Sequence, residues 1–306
     1  MWYHTLNMTE EGKVTLKNKI LKNNELYELQ YSRVRRLLKA PLKTGWFFFR
    51  QAIAYLHPYK VTKKTLWGER MSYYLPEGSM IYYYGFFEAN LSNFLIDILR
   101  EGDVVIDIGA HVGFYSMLAS ELVGESGHVY SFEPTPRTFA TLKENASRKR
   151  NITVENKAIL NEETTIDFFD YGPKYSAFNT FKKRTDEHIA FKDNAEKISV
   201  KTLSLDAYVK EKQCSPRFIK IDAEGSEHLI LEAMKNILTE IRPIISIEVS
   251  SVKEWEDNLK KSLTTLEANG YKAYELDVDG KASPADPYKN RLYDNLIFIH
   301  PLGKTL

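Results

Sequence analysis

The sequence predicts an α/β fold, an open and mainly parallel sheet with helices on both faces, preceded by a helical N-terminal extension. Three observations predict it. From residue 81 onward short apolar runs alternate with segments of helical period, the pattern of successive β-α-β units. The run VIDIGAHVG at 105–113 ends such a strand in an acid and places glycines at 109 and 113 across the turn into a helix. Charge divides the chain: residues 1–80 hold 14 Lys plus Arg against 6 Asp plus Glu, net +8, whereas residues 81–306 hold 28 against 35, net −7. Two parts follow, a basic extension over 1–80 and a main domain over 81–306.

The extension reads as helical throughout. Tyr27, Tyr31, Val34 and Leu38 form one apolar stripe, Pro41 and Gly45 punctuate it, and a second short helix runs from Trp46 to Leu56. Its aromatic cluster Trp46 to Phe49 beside Arg50 has two readings, a cap packed on the main domain or a basic amphipathic helix contacting an anionic membrane. No apolar run approaches the roughly 20 residues a membrane span needs. The N-terminal residues lack the apolar stretch of a secretory signal, and the single cysteine, Cys214, leaves no disulfide to form. The expected location is therefore cytoplasmic, or peripheral to a membrane through residues 1–80. Hydrophobic residues at 43% and charged residues at 27% give the chain a core of its own.

In the main domain, Asp103 to Ile108 is the first strand and Phe114 to Leu122 its helix. His128 to Glu133 is the second strand, Pro136 to Ser147 its helix, and Ile152 to Ala158 the third strand. Thr164 to Lys201 interrupts the alternation with aromatic and charged residues and reads as an inserted hairpin and loop. Alternation resumes with the strand Phe218 to Ile221, a helix from Ser226 to Leu238, the strand Ile244 to Val249 and a helix from Lys253 to Ala268. Two last strands, Tyr271 to Leu276 and Leu296 to His300, flank a loop.

The glycine turn is a nucleotide-type pocket. Gly109 lets the backbone turn and approach a ligand, and Gly113 lets the helix start close to the sheet. A dinucleotide fingerprint wants glycine where this chain has His111, because the backbone must yield there to a pyrophosphate. Asp107 opposes a polyphosphate and suits a cationic or hydroxyl-rich ligand. Glu133 ends the next strand 20 residues after Gly113, the distance at which an acid accepts ribose hydroxyls. The pocket is thus expected to take S-adenosyl-L-methionine in preference to NAD.

The chain resembles the FkbM-type methyltransferases, within the class I S-adenosylmethionine-dependent methyltransferases. The resemblance rests on GDVVIDIGAHVGFYS at 102–116, FEPTP at 132–136, NKAIL at 156–160, VKTLSLDAYV at 200–209, IKIDAEGSEHLIL at 219–231 and IRPIISIEVS at 241–250. Its most diagnostic part is KIDAEGSE. The family usually has asparagine at the position of His111, and the resemblance does not reach residues 1–80. It implies a Rossmann-like class I methyltransferase fold. It makes Asp107, Gly109, Ala110, His111 and Gly113 the cradle of the cofactor's methionine side and Glu133 the ribose clamp. Ala158, with Asn156 close by, falls at the adenine edge. Asp222 and Glu224 fall beside the methyl group, and Glu88 matches a recurrent glutamate that contacts the cofactor or stands as a surface acid.

Methyl transfer from a sulfonium is an in-line displacement, so alignment is the enzyme's main task. An alcohol acceptor also needs a base. Asp222, Glu224, His111, His228 and Glu248 are the candidates, with Asp222 and Glu224 assigned as catalytic because ligands of open α/β sheets bind outside the carboxyl ends of the strands. Glu224 and Gly225 before Ser226 equally read as a turn and N-cap. Glu227 and His228 read as first-turn surface residues, and His188 as a solvated loop histidine. Asp222 with Glu248 is compatible with an oxygen-liganded divalent ion, but no metal ligand is assigned. The insertion residues Tyr171, Tyr175, Phe178, Lys182, Lys183 and Arg184 either cover the cofactor's mouth or pack the insertion down. The expected activity is O-methylation of a hydroxyl on a sugar, glycan or natural product. A degenerate, non-catalytic scaffold and a nicotinamide-dependent oxidoreductase are the alternatives. A net −7 over the main domain argues against a nucleic-acid partner.

Overall fold

Alternate residues of each central strand feed two separate cores. In a computed structural model, which describes residues 8–28, 41–183, 195–249, 256–289 and 294–304, Val105, Val129, Phe218 and Ile244 face one core, and Ile106, Phe132, Ile219 and Ile245 the other. A sheet buried on both faces requires such apolar runs.

The chain begins with α1 (Glu10–Glu28), α2 (Pro41–Leu56), the strands β1 (Tyr59–Lys64) and β2 (Arg70–Leu75), and the helices α3 (Ser79–Tyr84) and α4 (Ala89–Ile98). The main alternation follows: β3 (Val104–Ile108), α5 (Phe114–Val123), β4 (His128–Phe132), α6 (Pro136–Ala146) and β5 (Ile152–Glu155). The insertion carries β6 (Ala158–Ile159), β7 (Thr165–Asp170) and β8 (Glu196–Leu203). Then come α7 (Leu205–Lys212), β9 (Phe218–Ile221), α8 (Glu227–Glu232), β10 (Ile244–Val249), α9 (Glu256–Ala268), β11 (Lys272–Leu276), β12 (Ala282–Pro284) and β13 (Asp294–Ile299).

The eight-stranded sheet has the order β12-β11-β13-β10-β9-β3-β4-β5. The five strands from β10 to β5 are parallel, and β11, β12 and β13 close one edge antiparallel. The order reverses between β3 and β9, where the chain runs outward to β4 on one side and β10 on the other. That switch point is where an open α/β sheet leaves a crevice for a ligand.

The expected α/β fold is present, and four local expectations are corrected. The extension is not all helix. YKVTKK and RMSYYL pair in register as a hairpin, Tyr59 opposite Leu75, because alternating β-branched and aromatic residues suit a strand and Gly68 takes the left-handed turn at φ +100°. The helix expected from Trp46 starts at Pro41, whose fixed φ suits a first helical position. The third strand stops at Glu155. Asn156 turns away to donate to the carbonyls of Glu133 and Pro134, and Ala158 pairs with Thr202 of a separate sheet, order β6-β8-β7. Last, the helix expected over Ser226 to Leu238 breaks after α8, since Asp206 accepts from the amides of Asn236 and Ile237 and so caps a new turn over Ile237–Ile241.

The inserted hairpin is present as β7 and β8, antiparallel over Thr165 to Asp170. Of the stripe Tyr27, Tyr31, Val34 and Leu38, the last three lie outside the described residues, as do Arg184 and His188. α1 shares a core with the main sheet: Leu16 and Ile20 are buried with Leu91, Leu95 and Ile98 of α4, and Lys13 Nζ donates to the carbonyl of Leu99 at 3.0 Å. Truncating either aliphatic residue to alanine is expected to cost about 2–5 kcal/mol. Among the described residues no helix is long and apolar enough to cross a membrane.

Candidate active site

Gly109 and Asp222 face each other across the switch point. The turn after β3 takes left-handed φ at three residues, Gly109 (+74°), His111 (+50°) and Gly113 (+90°). A β-carbon on Gly109 would lie 1.8 Å from the carbonyl oxygen of Asp222, so the close approach of the loops after β3 and β9 demands glycine. The amides of Gly109 and Ala110 both donate to Phe132 O at 3.0 Å, tying the turn to the end of β4. Gly113 has a second reason to lack a side chain, since its β-carbon would meet Leu142 of α6 at 2.6 Å.

Strand register puts Asp107 beside Lys220, and Lys220 is the centre of the charges. It is 3% exposed, its Nζ donates to Asp222 Oδ2 at 2.6 Å, and Asp222, Asp107 and Glu88 together outweigh the burial that opposes its charge and hold it above the ordinary lysine range. Burial first, then Asp222, pushes Asp107 above the usual carboxylate range against the pull of Lys220 and Ser116. Asp107 Oδ2 accepts from Ser116 Oγ at 2.6 Å, while its Oδ1 is buried without a hydrogen-bond partner. Glu88 is no surface acid. It accepts from Tyr115 and, at 2.8 Å, from Asn295, and burial raises its carboxyl too.

Three acids converge at the carboxyl ends of β9 and β10. One oxygen each of Asp222, Glu224 and Glu248 lies within 4.8 Å of the others. Glu248 is held well above the ordinary range by burial and then by Asp222, Glu224 and Glu88 as like charges. Oxygen donors at this spacing are the kind that bind a divalent ion, but the ammonium of Lys220 already sits on Asp222. Glu224 adopts φ +50°, and its carbonyl accepts from Thr180 Oγ1 of the insertion at 3.1 Å.

The second glutamate of D-x-E-G-x-E has a different task. Glu227 is buried rather than on the surface, and its Oε1 accepts from the amides of Ala223 and Gly225 at 3.1 and 3.2 Å. It therefore shapes the loop that carries Glu224. His228 is buried as well, 9% exposed, because α8 packs beneath the sheet instead of standing clear of it.

A cavity opens beside this cluster. Gly109, Ala110, His111, Tyr115, Lys220 and Asp222 form its floor, and Tyr73, Glu77, Met80, Arg137, Pro173 and Ser176 stand among its walls. Of the insertion, Pro173, Ser176 and Ala177 reach it. Tyr171 is buried at 2% exposure, and neither Tyr175 nor Phe178 lines the cavity. His111 joins the walls: its Nε2 is 2.8 Å from Ser176 Oγ and 3.4 Å from Glu77 Oε2. Ser176 Oγ and, at 2.6 Å, the amide of Ala177 donate to Glu77. Burial opposes the imidazolium, but Glu77, with Glu133 and Asp222 behind it, raises His111 above its ordinary range. Burial would likewise raise Glu77, yet His111, Ser176 and Ala177 hold it below the usual carboxylate range.

Asp107, Glu133, Asn156 and Ala158 do not line the cavity. Glu133 lies behind the glycine turn and accepts from the amides of His111 and Thr135 at 3.0 and 2.9 Å; a carboxylate with two bonds keeps lone pairs for ribose hydroxyls. Sequence reasoning missed Lys220, Glu77, Tyr115 and Ser176. A lysine inside the apolar strand FIKI was a usable signal, because a central strand rarely admits an unpaired charge. Nothing local marked Glu77 or Ser176, which only the fold brings to His111. Carboxyls at 88, 107, 222, 224 and 248 around one ammonium favour a ligand that carries positive charge.

The chain matches a known protein family. The Methyltransferase FkbM domain matches residues 107–273. The hexuronic acid methyltransferase AglP of Haloferax volcanii is 27% identical over 159 residues, which take in 52% of this chain and 61% of that relative. The 31-O-demethyl-FK506 methyltransferase FkbM of Streptomyces tacrolimicus is 25% identical over 196 residues, 56% of this chain and 74% of the relative. Among solved structures, a methyltransferase FkbM from Methylobacillus flagellatus KT is 14% identical and covers 68% of this chain and 50% of its own, with a TM-score of 0.42.

Proposed function

Because the chain belongs to the FkbM methyltransferase domain family, we propose that it transfers the methyl group of S-adenosyl-L-methionine to a hydroxyl of a sugar or natural-product acceptor. The observation that carries the reading is the cluster Asp222, Glu224 and Glu248 beside the cavity at the switch point. Asp222 on the floor, with Glu224 and Glu248 beside it and Glu77 on the wall, suits a sulfonium and an α-ammonium and opposes a pyrophosphate. The residues therefore fit the cofactor. Asp107, Gly109, Ala110, His111 and Gly113 would hold its methionine side, with Glu88 behind them. Glu133 would take the ribose, and Asn156 and Ala158 would border the adenine. When bound, the cofactor supplies an electrophilic methyl group.

The chain's own residues then orient the acceptor and take its proton. Tyr73, Tyr74 and Met80 give the cavity an apolar wall on which a sugar ring or macrocycle can rest. Asp222 lines the cavity and Glu224 stands beside it, and these two carboxyls are assigned to the acceptor hydroxyl. Glu248 stands beside them, its carboxyl raised well above the ordinary range by burial and then by the neighbouring acids. AglP and FkbM, by their names, act on a hexuronic acid and on 31-O-demethyl-FK506, which supports a sugar or natural-product acceptor.

Calorimetry tests the first half: S-adenosylmethionine or its demethylated product should bind, and NAD should not. Incubation with uronic acids and polyhydroxylated macrocycles, with release of S-adenosylhomocysteine as the readout, tests the second. Absence of binding to either form of the cofactor overturns the reading. Binding with turnover confined to amine or carboxylate acceptors overturns the O-methyl assignment alone.

A further inference from the structure

Helix α2 is inverted. Its apolar residues Leu42, Trp46, Phe49, Ile53 and Leu56 repeat at helical spacing, and they are 88, 58, 55, 41 and 74% exposed. Phe48 and Tyr55 widen the patch. The polar residues point inward: Arg50 donates to the hydroxyls of Tyr59 and, at 2.6 Å, Tyr82, Gln51 donates to Ser79 Oγ, and Thr44 is 1% exposed. A helix that merely caps a domain does the reverse. Its register is held by those bonds, so the apolar stripe has no freedom to roll into the core.

Charge identifies what the stripe meets. Residues 41–68 contain five Lys and Arg and no Asp or Glu. Lys64 lies exposed on β1, next along the chain from α2, whereas the ammonium of Lys63 donates to the carbonyl of Tyr82. A second copy docking through the same face would set like charges against like, whereas an anionic lipid surface satisfies both the aromatic stripe and the basic flank. We propose that α2 and β1 form a docking surface for an anionic bilayer, with Trp46, Phe49 and Ile53 entering the headgroup boundary and Lys64 meeting acidic headgroups. This surface is independent of the methyl-transfer site. It adjoins that site all the same, since α3, which α2 grips through Ser79 and Tyr82, contributes Met80 and Ile81 to the cavity wall.

The full chain, sedimented with vesicles of phosphatidylcholine with and without phosphatidylserine, tests the proposal. Binding should require phosphatidylserine and fall as salt rises, because exposed charges are screened beyond about 10 Å at 0.1 M. The variant Trp46→Ser/Phe49→Ser/Ile53→Ser should bind about tenfold more weakly or worse, with its helical circular dichroism and cooperative unfolding retained because the three side chains lie outside the core. Lys64→Gln should weaken binding roughly fivefold. Absence of association at low salt overturns the proposal, as does a triple variant that binds like the parent. So does a parent that ignores vesicles but forms a dimer which the triple variant abolishes; the face would then join two copies of the chain.

Discussion

Replacing Lys220 with methionine would keep the stem of the side chain and remove its ammonium. Lys220 is buried, and its Nζ sits 2.6 Å from Asp222 with Asp107 and Glu88 adding to the field around it. In Lys220→Met these three carboxyls lose the cation that holds them together. One-sided removal of a buried ion pair costs about 3–5 kcal/mol. The Asp222 side chain is 30% exposed and water screens part of the loss, so about 3 kcal/mol is expected. For a chain of 306 residues that lowers the melting temperature by roughly 5 °C. The deficit depends on pH. Burial already raises Asp107 and Glu88 above the usual carboxylate range, and loss of Lys220 raises them further. A group whose folded value lies above its unfolded value stabilises as pH falls and is lost as pH rises through the folded value. The gap between parent and variant should therefore be wide at pH 8 and narrow at pH 5. Thermal unfolding followed by circular dichroism at the two pH values measures it, and Lys220→Met/Asp222→Asn should recover part of the loss. Equal melting temperatures at pH 8, or a gap unchanged at pH 5, would refute the reasoning.

Glu227→Gln keeps the acceptor for the amides of Ala223 and Gly225 and removes a carboxyl that burial pushes up from 4.5 to about 7. It should match the parent below about pH 4.5 and become the more stable of the two as pH rises past 7; a flat difference in urea midpoints across that span counts against it. Glu77→Gln should cost about 1–2 kcal/mol, most of it between the ordinary glutamate value of 4.5 and the ordinary histidine value of 6.5. Below that window Glu77, although lowered, protonates, and above it His111, although raised, gives up its proton, so a loss independent of pH would contradict the pairing. Gly109→Ala, with its new carbon 1.8 Å from Asp222 O, should lose about 3 kcal/mol or more. Gly45→Ala, in an exposed turn of α2 with no atom within 4 Å, should instead gain about 0.5–1 kcal/mol, and chemical denaturation separates the two.

The parallel core was legible because its strands are short, apolar and buried on both faces, so VVIDI, FIKI and IISIEV stand out from any surface segment. The glycine turn was legible for a local reason, the need for left-handed backbone at 109 and 113. Its third left-handed residue, His111, was read as a departure from glycine, but its bonds to Ser176 and Glu77 join segments far apart in sequence and leave no local trace. The hairpin β1-β2 escaped notice because its strand period was masked by the basic, helix-compatible composition around it. Burial of Glu227 and His228 was missed for a related reason. Charge at the first turn of a helix suggests solvent, and only the packing of α8 under the sheet reverses that. The two readings of the Trp46 to Phe49 cluster differ only in which way the helix faces, which no periodicity can decide because the stripe is the same in both.

The contact of Glu77 with His111, Ser176 and Ala177 has a consequence for how this enzyme type can diversify. These residues come from the hairpin's exit, from the glycine turn and from the insertion, and two of the three segments are free to vary without disturbing a single central strand. A fragment confined to residues 107–273, the stretch that matches the family domain, would cut into β3 and lose β13 as well as the wall supplied by Tyr73, Tyr74 and Glu77. Such a fragment is not a portable catalytic unit. On the proposed reading, exchanging residues 70–81 and 170–180 together, as one matched pair of parts, should change acceptor preference while leaving every strand of the parallel core in place.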